Sequence, residues 1–86
     1  MEVLKISSKS NPNSVAGAIA GLVKENNYAE MQAIGAGALN QGIKAIIIAK
    51  SFLIASGYEI VINPSFKEID IDGINRTCIK LKLEVK

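Results

Sequence analysis

Ten Lys and Arg against eight Asp and Glu give this 86-residue chain a formal charge of +2 and a pI near 8.8, with 49% hydrophobic and 21% charged residues. Such a composition excludes a disordered chain, and the length predicts one domain, residues 1–86, whose lone core is close to the size at which a partner subunit helps stability. The chain has no His, which removes imidazole general bases, Cys–His nucleophile pairs and His-containing metal sites from consideration.

The charge is compatible with nucleic acid, but it falls short of the pI above about 9 that argues for it unaided. Lys44 and Lys50 interrupt the most apolar stretch, Ile43 to Ile54, so no run of membrane-spanning length is expected. The opening residues MEVLKISSKS have neither the basic nor the apolar part of a signal peptide, and Cys78 has no partner cysteine. A cytoplasmic protein without membrane contact is the expectation.

In chain order, Glu2 to Ser7 alternates as a strand with Leu4 and Ile6 on one side. The polar segment Ser8 to Asn13 follows, in which Pro12 keeps Asn11 out of helical geometry and Asn13 or Ser14 is placed to cap a helix. Val15, Ile19, Leu22 and Val23 then fall at helical spacing, predicting an amphipathic helix over Ser14 to Glu25. Gly17 and Gly21, one turn apart on it, suggest the close approach of another backbone, from the sheet, the second helix or a ligand.

Tyr28 to Ile34 predicts a second strand with Ala29, Met31 and Ala33 on one face. Gly35-Ala36-Gly37 turns it into a long helix, roughly Ala38 to Ser56, which is apolar around too much of its circumference for one sheet contact. The excess is expected to meet a second subunit. Tyr58 to Ile62 reads as a third strand broken at Asn63-Pro64, because proline is excluded from a central ladder. Beyond it Ile69 and Ile71 alternate with Glu68, Asp70 and Asp72. The last strand places Ile79, Leu81, Leu83 and Val85 on one face and Arg76, Cys78, Lys80, Lys82 and Glu84 on the other. If inward residues are odd-numbered on both hairpin arms, the loop needs an odd length, with Asp72-Gly73-Ile74 as the turn, Ile71 opposite Asn75 and Asp70 opposite Arg76. The element order β-α-β-α-β-β predicts an α/β two-layer sandwich: a four-stranded mixed sheet with two helices on one face.

Chemistry beyond binding finds little support. Cys78 alternates in phase with Lys80 and Lys82, yet a plain, half-exposed strand cysteine is the simpler reading. Asp70 and Asp72 along one strand read as a solvated face, so no metal site is expected. The glycine turn lacks the third glycine of a dinucleotide fingerprint, because Asn40 stands there, and no cofactor is expected. What remains at that turn is a choice between a tight turn of small residues and an anion held by free N–H groups of a helix start.

The stretches VLKIS, SKSNPNSVAGAIAG, AEMQAIGAGALNQGIKAIIIA, IDGINRT and IKLKLEV together make the chain resemble the stage V sporulation protein S family from end to end. That family looks like small cytoplasmic regulators of late sporulation and is similar to Alba, a β-α-β-α-β-β nucleic-acid-binding fold that works as a dimer. The resemblance implies a non-enzymatic regulator that binds DNA or RNA through phosphates as a homodimer, or as a larger tetramer. Carried over by position, the contacts are Ser8, Lys9, Ser10 and Asn11 after the first strand, Asn40, Gln41 and Lys44 at the start of the second helix, and Arg76 and Lys80 on the hairpin. Gly35 and Gly37 replace the arginines of Alba, and Glu68, Asp70 and Asp72 make the hairpin partly acidic, with Asp70 expected to offset Arg76. Weak, salt-sensitive binding follows, and the alternative is a protein–protein adaptor that has kept the fold.

Overall fold

In the computed structural model, which describes residues 2–86, the chain forms β1 (Val3–Ile6), α1 (Pro12–Asn26), β2 (Tyr28–Ala33), α2 (Ala36–Ala55), β3 (Ile60–Ile71) and β4 (Ile74–Val85). The strands lie in the order β1-β2-β4-β3, with β1 parallel to β2 and the other neighbours antiparallel. Both helices pack on one face of this mixed sheet, as the element order predicts.

Local chemistry sets the first helix two residues earlier than expected. Asn11 is the N-cap, in extended geometry with ψ 116°, and its Oδ1 accepts from the N–H groups of Asn13 at 2.9 Å and Ser14 at 3.2 Å. Pro12 occupies the first helical position, where its fixed φ suits the helix and its missing N–H leaves nothing unbonded. At the other end Asn27 takes φ 67° and returns its N–H to Val23 O at 2.8 Å, a left-handed stop that Asn tolerates. Gly17 and Gly21 approach nothing: both are exposed, and a Cβ on either would meet no atom within 4 Å. Close packing occurs instead at Gly42 on α2, where a Cβ would lie 3.3 Å from the side-chain tip of Met31, Cε.

The core joins Ile19 and Val23 of α1 and Ala45, Ile46 and Leu53 of α2 to Met31, Leu81 and Leu83 of the sheet. With 20 residues and a mean hydropathy of 1.3, α2 is long and apolar enough to span a membrane despite its lysines. Its Ala38, Gly42, Ala45 and Ala49 face is nevertheless core, and small residues there let the helix sit close to the sheet. The opposite side leaves Ile47 61% and Ile54 63% exposed, with Ile43 beside them.

Two expectations about the hairpin are corrected. β3 is continuous from Ile60 to Ile71 and runs through Pro64, which pairs with Leu81, because β3 is the edge strand and a proline there costs no central ladder bond. The turn has two residues, not three: Ile71 pairs with Ile74, Asp70 with Asn75 and Ile69 with Arg76. Asp72 at φ 51° and Gly73 at φ 80° both take the left-handed geometry that a two-residue turn of this kind requires, and Asp-Gly is well suited to it. Inward positions on β3 are therefore the even ones, Ile60, Ile62, Pro64 and Phe66, opposite Val85, Leu83, Leu81 and Ile79. Ile69 and Ile71 instead share the outer sheet face with Arg76 and Ile74.

Candidate nucleic-acid interface

The loop after β1 is a tight, self-bonded turn. Ser10 N–H donates to Ser7 O at 3.1 Å, Ser7 N–H to Ser10 Oγ at 2.9 Å and Lys9 N–H to Ser7 Oγ at 3.2 Å. Ser8 and Lys9 form its exposed corner. Asn11, also exposed, spends its side-chain oxygen on the α1 cap, so only its amide NH2 faces outward uncommitted.

This turn is seated on the start of α2. A Cβ on Gly37 would come within 3.0 Å of Ser8 Cβ, so only glycine lets the two segments lie so near. Gln41 Nε2 donates to Ser10 O at 2.9 Å across 31 residues of sequence and locks the contact. The helix itself begins at Gly35, φ 88°, with no side-chain cap. Its first N–H groups therefore carry the partial positive charge of a helix start beside the Lys9 corner. Asn40 and Lys44, exposed and one turn apart, extend that surface along α2. Of the expected contacts in this region, Ser8, Lys9, Asn40 and Lys44 are free to reach a ligand, while Ser10, Asn11 and Gln41 chiefly hold the geometry.

Arg76 and Lys80 stand elsewhere. They project on the outer face of the sheet, away from the helix layer, with Lys80 opposite Gln32 and Ser65 and Arg76 opposite Ile69. The two-residue turn reverses one expectation here. Asp70 is paired with Asn75, not Arg76, and Glu68 with Thr77, whose Oγ1 donates to Glu68 Oε1 at 3.1 Å. Glu68 and Asp70 thus occupy the strand phase opposite to Lys67, Arg76, Lys80 and Lys82, so the hairpin separates its charges instead of cancelling them.

Among the described residues the single ion pair is Lys86 with Glu59 at 3.5 Å, both well exposed. Lys5, Lys9, Lys44, Lys67, Arg76 and Lys80 are unpaired, and Lys82 lies 5.5 Å from the Tyr28 ring centroid. Cys78 is buried at 1% exposure, not half-exposed as the strand alternation suggests. Three further residues border these surfaces: Ser7, whose hydroxyl braces the turn; Lys5, whose outward phase on β1 is legible in the sequence; and Lys67, whose face depends on the hairpin register.

The model of the stage V sporulation protein S family matches residues 2–86, and the chain belongs to that family. Its fold is similar to a solved structure of Alba from Thermoplasma volcanium, with a TM-score of 0.60, 13% identity and 99% coverage of each chain. At that identity the likeness is one of fold.

Proposed function

We propose that this member of the stage V sporulation protein S family is a non-enzymatic, cytoplasmic sporulation regulator that binds nucleic acid through backbone phosphates as an Alba-like homodimer. Family membership implies the sporulation role. The observation that carries the binding reading is the docking of the Lys9 turn on the uncapped start of α2, through the Ser8–Gly37 contact and the Gln41 to Ser10 hydrogen bond. An unpaired lysine, a helix start and the exposed Asn40 and Lys44 then face the same region, which suits a phosphate backbone. The exposed Ile43, Ile47 and Ile54 of α2 supply an apolar surface for the second subunit.

Replacing Lys9 and Lys44 together by Ala should weaken binding to DNA and RNA evenly across sequences, measured by mobility shift at low ionic strength. Unchanged affinity would remove these two residues from the interface. A protein–protein adaptor is the second reading, favoured by Phe66, which is 80% exposed on the hairpin. Pull-downs from sporulating cells with and without nuclease separate the two, because adaptor partners persist after nuclease treatment.

A further inference from the structure

The outer face of the sheet carries no helix, and its half nearest the hairpin has an unusual charge pattern. Strand pairing sets Lys5, Gln32, Lys80 and Ser65 in one row across β1, β2, β4 and β3. Lys67 with Cys78, and then Arg76 with Ile69, form successive rows toward the turn. Of the two carboxylates on this face, Glu30 lies in the next row, paired with Lys82 and largely buried, and Glu84 lies two rows away, where it accepts from Asn63 Nδ2 at 3.0 Å. Lys5 and Lys80 stand two strand spacings apart, about 10 Å, within reach of one another's field at moderate salt.

A cavity of about 240 Å³ opens at the border of this face, lined by Lys5, Gln32, Ile34, Ile69 and Ile71 of the outer phase and by Ile6 and Asp70 of the opposite phase. Its volume falls below the roughly 300 Å³ at which pockets take whole drug-sized ligands, so it suits a fragment such as one planar base. Gln32, only 9% exposed, brings an amide donor and acceptor to this cavity, and the isoleucines give it apolar walls. Arg76, cross-strand from Ile69, lies outside the cavity lining and adds positive charge to the row beside it. A base inside a duplex cannot enter such a site, whereas an unpaired base exposes both its faces and its hydrogen-bonding edge.

We propose that this half of the outer sheet face is a track for single-stranded nucleic acid, with phosphates over Lys5, Lys67 and Lys80 and one unpaired base in the cavity beside Gln32. The inference rests on the nucleic-acid reading above and adds the strandedness of the ligand and a second surface. Asp70 at the cavity rim is the carboxylate that limits affinity there.

The test uses the intact protein with a fluorescent single-stranded oligonucleotide of mixed sequence and the matching duplex, titrated over a salt series. Lys5→Ala with Lys80→Ala should weaken single-strand binding about tenfold near 50 mM salt and lower the salt slope by about 1.4, with a smaller loss for the duplex. Lys67→Ala on the exposed edge strand should act in the same direction, and its position makes loss of folding an inadequate explanation. Asp70→Asn should tighten single-strand binding. If the Lys5 and Lys80 double variant binds single strands as wild type does while Lys9→Ala with Lys44→Ala does not, the track is overturned and the general reading stands. If wild type binds neither oligonucleotide at low salt, both fall.

Discussion

Four glycines on the two helices have different surroundings, and the difference can be measured. Gly17 and Gly21 meet nothing where a Cβ would be placed, so each leaves the flexibility of glycine in a helix without a packing gain. Gly17→Ala and Gly21→Ala should each stabilise the protein by up to about 1 kcal/mol, raising the melting temperature by several degrees in thermal denaturation. Gly37→Ala should do the reverse to the interface, because its Cβ would press on Ser8 Cβ, an atom fixed to the loop backbone. The expected outcome is weaker nucleic-acid binding as the Lys9 corner shifts, and wild-type affinity would show that the close approach is dispensable. In the sequence the Gly17 and Gly21 spacing reads as a contact stripe, while the turn at Gly37 reads equally as small-residue filler or as an anion site at a helix start. Glycine signals permission for close approach, and only the fold reveals which permissions are used.

At the scale of elements, the hairpin was the least legible part and the most consequential. Strand existence, the faces of β2 and β4 and the Asp-Gly turn were readable from alternation and turn chemistry. The phase of β3 was not, because Ile69 and Ile71 resemble inward residues until the left-handed pair Asp72 and Gly73 shortens the loop and turns them outward. One residue of register moved every acidic side chain of that arm to the other face. A double-mutant cycle between Asp70 and Arg76, read by chemical denaturation, should therefore give a coupling near zero; a favourable coupling above about 0.5 kcal/mol would support the three-residue turn instead. Gly73→Ala should destabilise the hairpin by about 1–2 kcal/mol, since a side chain at φ 80° is strained.

For the whole molecule, the apolar excess of α2 was evident in the sequence, and the fold divides it. One side packs on the sheet and α1, and the other presents Ile43, Ile47 and Ile54 to solvent. Ile47→Asp combined with Ile54→Asp should convert the proposed dimer to a folded monomer in sedimentation, with helical content retained, and a wild-type protein that sediments as a monomer would remove the dimer from the account. Loss of the dimer should also weaken nucleic-acid binding, because two Lys9 corners act on one strand of phosphates only when they are linked. The central claim is phosphate contact, and salt tests it most directly. Affinity of the wild-type protein for DNA and RNA, measured across a salt series, should fall steadily as salt rises, with a slope that shrinks by about 1.4–1.8 when Lys9 and Lys44 are replaced by Ala. Binding indifferent to salt, or no retardation of either nucleic acid at low ionic strength, would contradict it.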